Sequence, residues 1–361
     1  MKVLHVIARM NVGGTATYLF NLLSGLDGSG VETKLLIGNV PSNEREDNRV
    51  EQLDYQRIKG LSRAISPLKD LRARRQLWEI VDQYNPDLIH SHTFKAGVLV
   101  RSKKTSIPII HTFHGHHLYD PDYGKFARLV LNGIERKLAK RSRKILTIGS
   151  RVGKELLDVG IGKRSQYQSI APGVLAPKLS DRSKVVKKFS LNSDRLNVLW
   201  MGRLTRVKRP DRVIEIAKHF ADVNFIIAGD GELRAEIEAM APRNVYFLGV
   251  QSADEMYSLA DIVLLTSDSE GMPLTLIEGQ MAGVPAIATD VGSVSEIVEH
   301  EVTGLMTSTQ IEQIISSLGR LLGDSMLRST MAKNAKERAL DRFSIEKMVD
   351  SHIQIYKQAL T

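Results

Sequence analysis

Two glutamates stand eight positions apart in Glu270-Gly271-Met272-Pro273-Leu274-Thr275-Leu276-Ile277-Glu278. An ionised carboxylate accepts several hydrogen bonds, so a pair at this spacing can grip sugar hydroxyls. Glu270 is expected on a loop after an apolar strand, and Glu278 about two turns into the next helix, since residues i, i+4 and i+8 share a face. Gly271 at the helix entry would leave backbone N–H groups open to an anion, which the helix dipole favours. Two surface glutamates on an ordinary helix have the same spacing, so spacing alone leaves both readings open.

Three further segments carry groups that could do chemistry. Gly202-Arg203-Leu204-Thr205-Arg206-Val207-Lys208-Arg209-Pro210 follows another apolar run. Gly202 lets the chain turn, and Pro210 can open a helix. Arg203 offers a fork of donors and Lys208 a point charge, a combination that suits a diphosphate. A solvated basic loop is the plain alternative, and Arg206 and Arg209 fit it. Near the N-terminus, Asn11-Val12-Gly13-Gly14-Thr15 leads from a strand into a helix. Paired glycines there allow close backbone approach to a ligand, or simply a tight turn. The segment matches neither the dinucleotide fingerprint nor the Walker loop. Finally, His111, His114, His116 and His117 lie beside Asp120-Pro121-Asp122. Both a histidine zinc site and an Asp-x-Asp metal site are disfavoured: strand alternation turns His111 away from His114, and the Asp pair sits in a proline-containing loop.

These residues need elements to hold them. The 361-residue chain suggests two domains. Short apolar runs at 3–8, 34–37, 88–91, 108–112 and 145–148 alternate with amphipathic segments. A second series follows at 197–201, 224–228, 245–248, 262–266 and 286–289. Alternation of this kind implies βαβ units and parallel sheets, twice over. The expected division is 1–172 and 173–343, at the Pro/Gly-rich Ala171-Pro172-Gly173-Val174, with a C-terminal helix over about 344–361 packing back on the first domain. Doubly wound sheets bind ligands at the carboxyl ends of their strands, which is where the segments above fall.

Composition narrows the function. There are no cysteines, which removes disulfides, thiolate metal sites and cysteine nucleophiles. No apolar run reaches the roughly 18 residues of a membrane span. Residues 1–170 hold 28 Lys+Arg against 16 Asp+Glu, whereas 171–361 hold 22 against 25. The basic half carries an amphipathic segment, 125–144. Its stripe Phe126, Leu129, Val130, Ile134 and Leu138 reads as the buried face of a core helix. With Arg72, Arg74, Arg75, Arg101, Lys103 and Lys104, its basic residues also fit docking on anionic lipid. Only 6% of residues are aromatic and no recognition motif is present, so nucleic acid is not an expected partner.

The combination of Glu270 through Glu278 with Gly202-Arg203-Leu204, Lys208, Ala228-Gly229-Asp230-Gly231-Glu232, Gly283-Val284-Pro285 and Gly292 resembles glycosyltransferase family 4, the retaining enzymes of GT-B fold. Gly13-Gly14 and His111-Thr112-Phe113-His114-Gly115 resemble its N-terminal segments. The resemblance implies two facing Rossmann-like α/β domains with a deep cleft. The first would take the acceptor and the second the nucleotide sugar. Glu278 would bind the donor ribose. Glu270 and the backbone of Gly271, Met272, Pro273 and Leu274 would hold the donor sugar and phosphate. Arg203 and Lys208, with Gly202, would neutralise the leaving diphosphate. Gly13 and Gly14 would contact that diphosphate, and His114 would reach the transferred sugar. Glu270, His114, Arg203 and Lys208 are thus the expected catalytic group, with no metal and no cofactor. Expected partners are a nucleotide sugar, UDP favoured over GDP, and a lipid-linked glycan acceptor of bacterial surface polysaccharide synthesis. The expected location is the cytoplasm, at the inner membrane face. A sugar-nucleotide epimerase of similar build and a non-enzymatic binding homologue are the competing readings. Three positions depart from the family pattern: Ala171 in the linker, Gly279 after Glu278, and Thr15-Ala16 in the first loop.

Overall fold

The computed structural model describes residues 1–42, 44–62, 66–115 and 124–361. Asn43, Arg63, Ala64 and Ile65 lie outside them, as do His116, His117 and the Asp120-Pro121-Asp122 segment. The chain forms two compact units. The first runs to Val174 and takes back Ser344–Thr361, and the second is Leu175–Phe343.

The first unit begins β1 (Lys2–Ile7), α1 (Gly14–Leu26), β2 (Glu32–Ile37), β3 (Tyr55–Arg57), α2 (Pro67–Tyr84) and β4 (Leu88–His92). It continues α3 (Phe94–Arg101), β5 (Ile109–Phe113), α4 (Lys125–Ala139), β6 (Lys144–Thr147), α5 (Ser150–Asp158) and β7 (Tyr167–Ser169). The sheet order is β3-β2-β1-β4-β5-β6-β7, with every pairing parallel. The second unit contains α6 (Arg182–Lys188), β8 (Asn197–Met201), α7 (Pro210–Ala217), β9 (Asn224–Ala228), α8 (Arg234–Met240) and β10 (Val245–Gly249). It continues α9 (Ala253–Leu259), β11 (Ile262–Leu265), α10 (Leu274–Met281), β12 (Ala286–Thr289), β13 (Gly304–Thr307), α11 (Ile311–Gly323) and α12 (Ser325–Arg342). Its order is β10-β9-β8-β11-β12-β13, again parallel throughout. The last helix, α13 (Ile345–Leu360), belongs to the first unit.

Both sheets are covered on both faces, which is why their strands read as unbroken apolar runs. In the first unit, alternate residues of β1 face different layers. Leu4 and Val6 pack with α2 and α3, whereas Ile7 packs with α1. In the second, Trp200, Phe225, Ile227 and Leu264 lie in one cluster with α7 and α11. The helix α13 docks closely on α1: a Cβ on Gly25 would stand 2.6 Å from the Val349 side chain. A Cβ on Gly173 would stand 2.7 Å from the Ile345 backbone, so the linker needs glycine where α13 begins.

The helix α4 corrects one expectation. Its apolar stripe does not face the core. Phe126 is 80% exposed, Leu129 64% and Val130 46%, and of the five stripe residues only Leu138 is buried. Glu135 instead points inward and is fully buried, 2.9 Å from Arg101, which is equally buried. Arg101 therefore does not belong to the basic surface. Its charge needs the carboxylate more than the helix needs apolar burial, because an unpaired buried guanidinium is far costlier than a solvated leucine.

Glu135→Ala strands that guanidinium in the core. A loss of about 3–5 kcal/mol in unfolding free energy is expected from denaturant titration. Phe126→Ser, on the exposed stripe, should stay within about 0.5 kcal/mol of the parent.

Candidate active site

In the second unit the loops after β8, β9, β11 and β12 are stitched together at one edge of the sheet. Gly202 follows β8, and its N–H bonds the Ala228 carbonyl at 3.0 Å. The chain after β9 crosses directly over it. A Cβ on Gly229, where φ is 149°, would stand 1.8 Å from the Gly202 oxygen, so no other residue fits. The same holds between β11 and β12. Gly292 has φ 51°, and its Cβ would stand 1.7 Å from the Glu270 carbonyl oxygen. The Ser293 N–H then bonds the Gly271 carbonyl at 2.9 Å.

These crossings bring Lys208 and Glu270 together. Lys208 Nζ lies 2.5 Å from Glu270 Oε1, and the Ser267 hydroxyl donates to the same oxygen at 2.6 Å. Both partners are largely enclosed, Glu270 at 8% exposure and Lys208 at 26%. Thr266, fully buried, ties the basic loop to β11: it accepts from Trp200 Nε1 at 3.0 Å and lies 2.9 Å from the Arg209 carbonyl. Arg209 is no solvated loop cation. It adopts φ 51°, chelates Asp211 and reaches Asp268 at 3.1 Å, and these carboxylates hold its pKa up, Asp211 foremost. Arg203 and Arg206 are exposed.

Glu278 is positioned differently from the sequence expectation. The helix α10 begins at Leu274 with Pro273 as its N-cap, so Glu278 is its fifth residue, one turn in. Gly271 precedes that entry and belongs to the loop, because Pro273 fixes the start of the helix. Met272 and Pro273 are buried and Leu274 is partly so; the Leu276 N–H bonds the Pro273 carbonyl at 3.2 Å, and the N–H groups of Leu274 and Thr275 stand at the helix entry. The Tyr257 hydroxyl lies 3.1 Å from Glu278 Oε2 and 2.8 Å from the Thr275 carbonyl. Burial, then the Glu278 charge, pushes the Tyr257 pKa well up, so it remains a neutral donor. Gly279 now has a reason: a Cβ there would stand 2.8 Å from Val263 and 3.3 Å from the Tyr257 ring. Thr266, Asp268 and Tyr257 were not legible as site residues, since each acts through a contact distant in sequence, and Ser267, three residues before Glu270, belongs to no recognisable pattern.

In the first unit, Gly13 caps α1 with φ 152°, Gly14 is the first helical residue, and both are exposed. Thr17 N–H closes the turn on the Gly13 carbonyl at 3.1 Å. His114 lies just past β5, partly buried, its ring set edge-on to Tyr18 at 4.7 Å. His111 faces the other side of the sheet, beside Ser91 at 2.9 Å, as strand alternation requires. His114 has unforeseen companions. His5, His90, His92 and His352 are all fully buried on its side of the sheet. His5 pairs with His90 in the β1–β4 register, and His90 and His92 share a face by the period-two rule. His90 bonds the Tyr356 hydroxyl at 2.8 Å and Thr112 at 2.7 Å. His352 donates from Nδ1 to the Met348 carbonyl at 2.7 Å, so its Nε2 accepts from the Tyr18 hydroxyl at 2.9 Å. Among the described residues, His5, His90 and His92 could converge on a metal ion, but His90 already spends both nitrogens on hydroxyls.

Known proteins resemble this chain along its length. The family described as Glycosyltransferase Family 4 matches residues 12–174, and Glycosyl transferases group 1 matches residues 181–338. An Escherichia coli UDP-Gal:alpha-D-GlcNAc-diphosphoundecaprenol alpha-1,3-galactosyltransferase is 27% identical over 83% of this chain and 82% of its own length. Sucrose-phosphate synthase from Thermosynechococcus elongatus superposes with a TM-score of 0.86 at 18% identity, covering 99% of this chain and 98% of that one. Anabaena Alr3699/HepE, in complex with UDP and glucose, superposes at 0.83 with 18% identity, covering 99% of each chain. The fold is GT-B.

The histidine layer makes stability pH-dependent. Burial is the main cause that lowers His5 and His114 to about 3 and His352 to about 4, and it also pushes His90 and His92 well down. Folded, these rings are neutral. Unfolded, they titrate near 6.5, so unfolding takes up protons below that pH. Stability should therefore be full above about pH 6.5 and fall steadily toward pH 4. Unfolding midpoints measured at pH 7.5, 6 and 5 check the sign, and a midpoint that rises on acidification would contradict it.

Proposed function

The chain belongs to the group 1 glycosyltransferases of family 4, and from that premise we propose that it is a retaining, metal-independent enzyme using a nucleoside-diphosphate sugar, UDP favoured. The acceptor is a lipid-linked glycan in bacterial surface polysaccharide synthesis. The observation that carries the donor reading is the enclosed Lys208–Glu270 pair, with Glu278 one turn into α10. Unit 175–343 is the nucleotide-sugar domain in this reading, and the unit holding Gly13, Gly14 and His114 is the acceptor domain. The UDP and glucose of Anabaena Alr3699/HepE support the donor class. The diphosphoundecaprenol-linked sugar named for the E. coli relative supports the acceptor class.

The chemistry follows from charge. As the C1–O bond breaks, its electron pair stays on the leaving diphosphate. Arg203, Lys208 and the Leu274 and Thr275 amides at the entry of α10 meet that growing charge, so no metal is required. Such fixed donors act without reorganising at the moment of reaction. Lys208 is poised for this by Glu270, which holds it in place until a phosphate oxygen competes for it. Glu278 accepts from the ribose hydroxyls, and Glu270 from the sugar. The acceptor hydroxyl attacks on the face the leaving group vacates, and its proton passes to the departing phosphate. His114 contacts the transferred sugar.

The exposed apolar stripe of α4 supports membrane docking. Phe126, Leu129 and Val130 lie beside exposed Lys125 and Lys137 and partly exposed Arg128, a pairing of apolar and basic groups suited to anionic lipid. Among the described residues, no helix is long and apolar enough to cross a membrane. In this reading the protein sits peripherally on the inner face of the cytoplasmic membrane.

Calorimetric titration with UDP, GDP and ADP in the presence of EDTA tests the donor site. UDP is expected to bind, with Glu278→Ala and Lys208→Ala each weakening it by about tenfold or more. Binding that appears only with manganese would defeat the metal-free reading. For the membrane, sedimentation with phosphatidylglycerol vesicles but not phosphatidylcholine vesicles is expected, and Phe126→Glu combined with Leu129→Glu should abolish it.

A further inference from the structure

Three imidazoles of the first unit are joined end to end. His5 Nδ1 lies 3.1 Å from His92 Nε2, and His92 Nδ1 lies 3.1 Å from His114 Nε2. The ring centres are 5.4 Å apart at both steps, and the first pair of planes is inclined by only 12°. That separation with that nitrogen contact sets each nitrogen pair along the line of ring centres, with the second pair of planes twisted by 35° about it. The rings do not overlap face to face. The inner end is closed, because His5 Nε2 is buried without a hydrogen-bond partner. The outer ring is the partly buried His114, whose Nδ1 takes no partner from the described residues.

A neutral imidazole carries one N–H and one bare nitrogen. Each nitrogen-to-nitrogen contact needs one of each. Three neutral rings with two such contacts therefore have only two arrangements, and a proton moved on one ring moves it on all three. The closed end selects between them. A proton on His5 Nε2 would be a buried, orphaned N–H, the rarer of the two kinds of unsatisfied group. With that nitrogen bare, His5 donates from Nδ1 to His92 Nε2. His92 then donates from Nδ1 to His114 Nε2, and His114 must carry its own proton on Nδ1.

We propose that His5 and His92 are positioning residues that lock His114 as an outward Nδ1–H donor, aimed at an oxygen of the sugar. The chain of rings fixes both the tautomer and the plane of His114 before substrate arrives. An outward donor suits a sugar hydroxyl or ring oxygen, whereas the opposite tautomer would present a bare acceptor. This inference rests on the reading of His114 as a sugar contact, but the tautomer itself does not.

Nitrogen-15 NMR of histidine side chains in the full-length protein at pH 7.5 reads the tautomers directly, without a substrate. His5, His92 and His114 are each expected as Nδ1–H. Mixed tautomers along the chain, or an Nε2–H on His114, would overturn the proposal. So would stoichiometric binding of added zinc with loss of the His5 and His92 N–H signals, which would make the cluster a metal site. In His92→Phe the His114 signal is expected to relax to a mixture. In His92→Asn, whose side-chain amide stands near the lost Nδ1, it should return to Nδ1–H. An unchanged His114 in His92→Phe would also overturn the coupling. In sugar transfer, His92→Phe should lower kcat about tenfold, the equivalent of one ordinary hydrogen bond, with UDP affinity unchanged and partial rescue in His92→Asn. If the tautomers stand as expected but no transfer is found with any UDP sugar, the functional reading fails and the locked chain survives it.

Discussion

Every strand pairing in both sheets is parallel, and that constraint governs where chemistry can occur. A parallel strand cannot return by a tight turn, so each crossover must carry the chain back along a covering helix. All strands of a sheet then release their loops at one edge. In the second unit this gathers residues 202–209, 229–231, 266–273 and 290–293, which lie far apart in sequence. Gly229 and Gly292 let those loops cross at backbone contact. The Lys208–Glu270 pair is a consequence of that crossing, since neither residue's own element reaches the other.

The strand series is plain in the sequence because buried parallel strands are apolar throughout. The strands that escaped notice are the marginal ones. Tyr55–Arg57 and Tyr167–Ser169 are three residues each, polar, and at sheet edges, so they carry no apolar signal. Gly304–Thr307 is likewise an edge strand, of four residues. Site residues followed the same logic. As candidates, Glu270, Arg203 and Lys208 stood out because charged groups on loops after strands are conspicuous, and Glu278 by its spacing from Glu270. His5, His90 and His92 did not, because a histidine inside an apolar run looks like an isolated exception. The signal was there in His90-Ser91-His92, whose alternate spacing puts two rings on one face. It needed the β1–β4 register to bring His5 beside them.

The first unit buries polarity in two opposite ways. The histidine layer is neutral and hydrogen-bonded, so its rings exchange protons for geometry without a charge to desolvate. Beneath α4, by contrast, Arg101 and Glu135 are charged and fully enclosed. Such a pair is weak evidence for stability, because apolar residues of similar volume often do as well. Its effect is better described as rotational. A helix with apolar residues at 126, 129, 130 and 134 would ordinarily turn them inward. Pinning Glu135 to Arg101 forbids that rotation, because the carboxylate cannot leave the core without stranding the guanidinium. The stripe must then stay outside, at the cost of its own burial. The exposed Phe126, Leu129 and Val130 beside Lys125 and Lys137 are the surface on which the membrane proposal rests, and the buried ion pair is what keeps them there.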